Sequence, residues 1–147
     1  MSKYTLAEKS TIIKNYCLNE TKSINPIEIA ISLMHHESVD IHGPEHHVLD
    51  GAAFLCAMHN AGVEFDLDRA LDQIIQRGGK MPGAMCGLWG VCGSASSLGA
   101  ALSIINKTTY LSERVGQQIL ITVQEHLIEF LVCQGLDVVR EMLIIVY

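Results

Sequence analysis

The sequence predicts a mostly α, single-domain helical bundle of about five to six helices, and three observations carry that prediction. The first is length: 147 residues make one domain, enough to bury roughly 70% of the surface of the unfolded chain. The second is apolar spacing, because four successive segments repeat their apolar residues every three or four positions. The third is an apolar, small-residue stretch from Cys86 to about Asn106, whose length favours a buried helix over a strand.

Taken in order, "TLAEKSTIIKNYCL" predicts a first helix from about Thr5 to Leu18. "NPIEIAISLMHH" predicts a second, with Pro26 pre-set for its first turn. Pro44 reads as the first turn of a third, carried by Val48, Leu49, Ala52, Ala53, Leu55 and Cys56 and stopped at Gly62. Asp66 caps a fourth, "LDRALDQIIQR", with Asp68 near its positive end and Gly78-Gly79 closing it. After the Pro-Gly turn of "KMPGAM" comes the Gly-rich buried helix near 86–106. On it Gly87, Gly90 and Gly93 recur every third residue, a strip beside Trp89 where a backbone or a cofactor can approach closely. From Leu111 the pattern is helical, then ends on "MLIIVY", whose β-branched residues suit a strand as well.

Composition removes several function classes. With 49% apolar and 18% charged residues the chain is not disordered. A net charge of −6 without a Lys/Arg stripe argues against nucleic acid. No apolar run is long enough to span a membrane, and the N-terminus lacks the apolar core of a signal peptide, so a cytoplasmic location is expected. In a reducing compartment Cys17, Cys56, Cys86, Cys92 and Cys133 read as thiols, metal ligands or redox groups rather than structural disulfides.

Two clusters carry the candidate chemistry. The first is "HGPEHH", in which His42, Glu45 and His46 stand at a helix entrance as candidate metal ligands or proton carriers. His46 and Asp50 are one turn apart, an arrangement that fixes an imidazole tautomer, whereas His47 lies about 100° round the helix from His46 and is expected to point elsewhere. The bland alternative is a capped helix start with surface histidines. His35 and His36 fit the role of helix-end residues. The second cluster is "CGLWGVCG". On a straight helix the Cα atoms of Cys86 and Cys92 stand ~9 Å apart, which excludes a disulfide, and a shared metal would need the chain to turn at Gly87 or Gly90. Cys86, first after the Pro-Gly turn, is the candidate reactive thiolate, with His46 as its base; two small core cysteines in a packing helix are the competing reading.

"HGPEHH" followed by "RGGKMPGAMCGLWGVCGS" resembles, as an ordered pair, a family of prokaryotic proteins of unknown function whose module occurs alone or beside methyltransferase-like or radical-SAM-like regions. The resemblance covers roughly Met34 to Leu111 and implies that His42 to His47, Pro82, Gly83, Cys86, Gly87, Trp89, Gly90, Cys92 and Gly93 sit on signature positions. It implies no reaction. This chain departs from the pattern at Ala84-Met85, where the family carries a further glycine, and near its C-terminus, where it lacks the family's adjacent cysteines followed by Lys-Arg. Residues 112–147 are therefore atypical. Codons exist for Asp137 to Glu141 whose shifted frame spells Cys-Cys-Lys-Arg, so a frameshift near Glu113 or Arg114 is expected.

Three functional readings stay open. One is a metal-binding or thiol-based redox or enzyme module with zinc or an iron–sulfur centre held through Cys86, Cys92 and His46, with His42 and Glu45 as further donors. A second is a non-catalytic module that holds an anionic small molecule at helix N-termini and the glycine strip. The third is a helical interaction protein forming a homodimer, in keeping with a mean hydropathy of +0.28.

Overall fold

The computed structural model describes residues 3–109, 111 and 112, which form six α-helices with no strand among them. The order is α1 (Leu6–Asn19), α2 (Pro26–Met34), α3 (His46–Asn60), α4 (Leu67–Gly78), α5 (Met85–Trp89) and α6 (Gly93–Ile105). The expected helix and strand-compatible run after Leu111, and the frameshift, lie outside the described residues. No helix among those described is long and apolar enough to cross a membrane.

Local signals set the ends of the first four helices. Thr5 and Glu8 close a capping box on α1, each satisfying a main-chain N–H that the helix leaves free. Asn25 caps α2 ahead of Pro26, and the Asp66 carboxylate accepts from the Arg69 N–H at 3.0 Å to start α4. Gly62, at φ 96°, takes the left-handed turn that lets the chain leave α3, a conformation costly for any residue with a Cβ.

Helix α3 is the centre of the bundle and packs against α1, α2, α4 and α6. Apart from Asp50, its middle is apolar or small on every face from Val48 to Ala57, as a surrounded helix must be. Ile13 and Cys17 of α1, Ile29 and Leu33 of α2, and Leu71 and Ile74 of α4 close the core around it. In that core the Cys56 thiol donates to the Cys17 carbonyl at 3.3 Å, so these two cysteines are packing residues. Lys14 reaches across the surface from α1 to Asp68 and Asp72 of α4.

The approach of α6 to α3 depends on missing side chains. A Cβ on Gly51 would lie 2.6 Å from the Ser97 hydroxyl, which instead accepts from the Gly51 N–H at 3.0 Å. Gly78, at the end of α4, stands equally close to the other side of α3: its Cβ would lie 2.6 Å from the His47 carbonyl oxygen.

The single buried helix expected near 86–106 is two helices. Gly90 adopts φ 65° and ends α5, Cys92 is extended, and α6 starts afresh at Gly93. The reason is the helix-ending preference of a left-handed glycine, which outweighs the helical spacing around it. Only α6 is the Gly-rich buried helix; α5 buries none of its residues, and Leu88 and Trp89 face solvent. The glycine strip therefore does not exist as a continuous surface.

These contacts separate two kinds of glycine. Gly78→Ala should destabilise the fold by about 1–3 kcal/mol, because main chain must move to admit the methyl. Gly87→Ala, with nothing within 4 Å of its Cβ, should leave the thermal midpoint nearly unchanged. Equal losses for the two variants in thermal unfolding would contradict this packing.

Candidate functional site

The start of α3 is built by a buried ion pair. Lys9 of α1, 3% exposed, places its ammonium 2.6 Å from Glu45 Oε1 and 2.5 Å from Asp40 Oδ2. Burial works against the Lys9 charge, but hydrogen bonds to Asp40 and Glu45 outweigh it and hold the ammonium above its ordinary pKa. The same Glu45 oxygen accepts from the Asp40 N–H at 2.8 Å. Gly43 is part of this arrangement, since a Cβ there would strike the Glu45 carboxylate. Glu45, expected as a metal donor, is fully buried and spends its charge on Lys9. Removing Lys9 would strand that carboxylate, a cost of about 3–5 kcal/mol for a buried pair.

Asp40, so fixed, orients the first imidazole. His46, 3% exposed, bonds through Nε2 to the Asp40 carbonyl at 2.9 Å. A carbonyl only accepts, so Nε2 carries the proton and the Nδ1 of neutral His46 is left with its lone pair. That Nδ1 is buried and has no hydrogen-bond partner among the described residues.

His46 lines a cavity of about 440 Å³ to which both sequence motifs contribute. From the first come His42, Pro44, His46 and His47; from the second, Ala84, Cys86, Cys92 and Ser94. The turn at Gly90 makes this convergence possible, because a straight helix would carry Cys86 and Cys92 apart. His47, expected to point elsewhere, also lines the cavity and packs its ring against Gly93, whose missing side chain makes room for it. The 100° step separates residues along a helix flank, but a cavity over the helix end is reached from both sides of the axis. Burial holds His47 below its ordinary pKa, opposed by the nearby Met81 carbonyl.

The remaining expected residues divide. Cys92, 6% exposed, is the N-cap of α6. Burial pushes its thiol up, the Ala95 and Ser94 amides pull it back, and neighbouring Asp50 adds to the rise. Cys86 lies on the exposed rim with His42. Gly87 and Gly90 have open space around them, and Trp89 is 61% exposed; none of the three lines the cavity, whereas Gly93 does. Among the described residues no three His, Cys, Asp or Glu side chains stand close enough together to hold a metal ion in this arrangement.

Asp50 belongs to the site although it was expected only as a partner for His46. It is 2% exposed, and burial raises its carboxyl to about 6, against the pull of the Ser94 hydroxyl and of His46. Its spacing from His46 was the sequence signal for it. Ser94, Lys9 and Asp40 gave none, since their roles depend on contacts between distant segments.

The Asp50 environment has a measurable consequence. A folded-state pKa of about 6, above the ordinary 3.8, means that the native state binds more protons than the unfolded chain between those values. Stability assigned to Asp50 therefore falls as pH rises through that window, by roughly 3 kcal/mol in full. Asp50→Asn should be more stable than the parent at pH 7.5, and the advantage should vanish towards pH 4. Thermal unfolding at both pH values checks this; a constant difference would show that Asp50 is not the titrating group.

No curated protein and no solved structure matches the chain significantly. A family model does, over residues 13–135, a span that holds both motifs, α2, α3, α4, α5, α6 and the second half of α1. The chain belongs to a family of unknown function, DUF5714.

Proposed function

We propose that this chain is a His/Cys enzyme module whose cavity binds a zinc or iron ion through His46 Nδ1 and Cys92, with Cys86 and His42 supplied from the rim. The observation that carries the reading is the His46 imidazole: buried, its tautomer fixed by a main-chain carbonyl, and its remaining lone pair unpartnered beside a thiol-bearing cavity. Metal-ligating histidines are held in this way, one nitrogen on a carbonyl or carboxylate and the other on the ion. Imidazole and thiolate together suit zinc or iron. Ligation by His46, Cys92 and one of the two rim residues would leave a position open for water or a substrate atom, the arrangement of a catalytic centre. Asp50, half-titrated near pH 6 and next to both His46 and Cys92, is placed to hold or release a proton there.

Anion capture at the helix starts draws less support, because the first amides of α3 are taken by the Gly43 and Pro44 carbonyls. A metal-free thiol reading is favoured by one observation: Cys86 is an exposed free cysteine facing the cavity, while Cys17, Cys56 and Cys92 are buried. In that reading Cys86 is the nucleophile and His46 the base.

Protein purified anaerobically should carry stoichiometric zinc or iron by elemental analysis, and His46→Ala or Cys92→Ser should lose it while Cys56→Ser retains it. Metal-free protein whose Cys86 is alkylated first, and is not protected by added zinc, would favour the thiol reading instead.

A further inference from the structure

We propose that α5 is a hinged lid that closes over the ion and delivers Cys86 to it as a ligand; this rests on the metal reading above and adds how the site is assembled. The donors fall into two halves. His46 and Cys92 are a fixed floor, 3% and 6% exposed, each held by main chain or by the start of a long helix. Cys86 faces the same cavity from a five-residue helix that buries none of its side chains.

The boundaries of that helix are the hinge. Ala84 at φ 59° and Gly90 at φ 65° are left-handed residues on either side of α5. Ala84 is held there without the freedom of glycine, in a conformation that L-residues rarely adopt. Among the described residues, Gly83, Gly87 and Gly90 have nothing within 4 Å of the position a Cβ would occupy, so no neighbouring atom grips the segment at these three positions.

The lid carries apolar surface that the open arrangement leaves in water, with Leu88 70% and Trp89 61% exposed. Cys86 and Trp89 are three apart and share a helix face, so a rotation that turns the Cys86 sulfur inward also brings the indole over the mouth. Closure then joins three changes: a third donor reaches the ion, apolar surface leaves water, and the bound ion is shielded. Each thiol that ligates loses its proton to solvent as the sulfur–metal bond forms and a water leaves the ion.

The chain contains one tryptophan, so its emission reports the lid directly. Full-length protein, reduced and stripped of metal, is titrated anaerobically with zinc against a chromophoric chelator that counts bound ion, while Trp89 emission and acrylamide quenching are followed. The lid predicts a blue shift and weaker quenching that saturate with zinc. Cys86→Ser, a change at an exposed position, should still take zinc on the floor, about tenfold or more weakly, with no change at Trp89. Zinc bound by the parent with Trp89 unchanged, or an unaltered affinity and Trp89 response in Cys86→Ser, overturns the lid and leaves the metal reading standing. No zinc bound by either protein overturns both.

Discussion

The candidate site depends on the buried pair between Lys9 and Glu45. Two opposite charges taken out of water must find each other, and the position where they meet fixes α1 against the entrance to α3. Glu45 holds the Asp40 amide, the Asp40 carbonyl holds His46, and Gly43 is small because the carboxylate lies over it. A histidine in the floor of the cavity, His46, is thus oriented through Glu45 and Asp40 by a lysine 36 positions before Glu45. The polar core contacts are costly to break singly, which gives the imidazole one orientation rather than several.

The second constraint is steric. Gly78 approaches the His47 main chain and Gly93 the His47 ring, so the first turn of α3 is gripped from both sides. A grip of this kind requires the missing side chains on both partners at once, and it is what brings "HGPEHH" against "CGLWGVCG". The floor is close-packed, whereas the rim formed by α5 is not. This contrast between a fixed half and a free half is the physical basis for reading the cavity as a site that changes on binding.

The bundle of helices was legible because its signals are local. Asp66, Pro26 and Gly62 mark element ends through contacts within a few residues, and the apolar period of α3 and α4 names the faces that meet. The nearness of Asp50 to His46 was legible for the same reason, but the imidazole tautomer is fixed by the Asp40 carbonyl and not, as the spacing led one to expect, by the Asp50 carboxyl. What was not legible involved competition or distance. Gly90 sits in a stretch whose spacing favours one helix, and the helix-ending preference of its left-handed conformation outweighs that spacing. Glu45 has the chemistry of a metal donor, but nothing nearby in sequence announces Lys9. His47 was assigned to the wrong side because the start of α3 lies under the cavity rather than beside it.

In the proposed site, imidazole and thiolate from two separate motifs bind one ion. X-ray absorption at the zinc edge, on reduced protein loaded with one equivalent, measures that directly. A sulfur shell at about 2.3 Å from Cys86 and Cys92 and a nitrogen shell at about 2.0–2.1 Å from His46 are expected. A first shell of oxygen and nitrogen alone, with no sulfur, would contradict the proposed site.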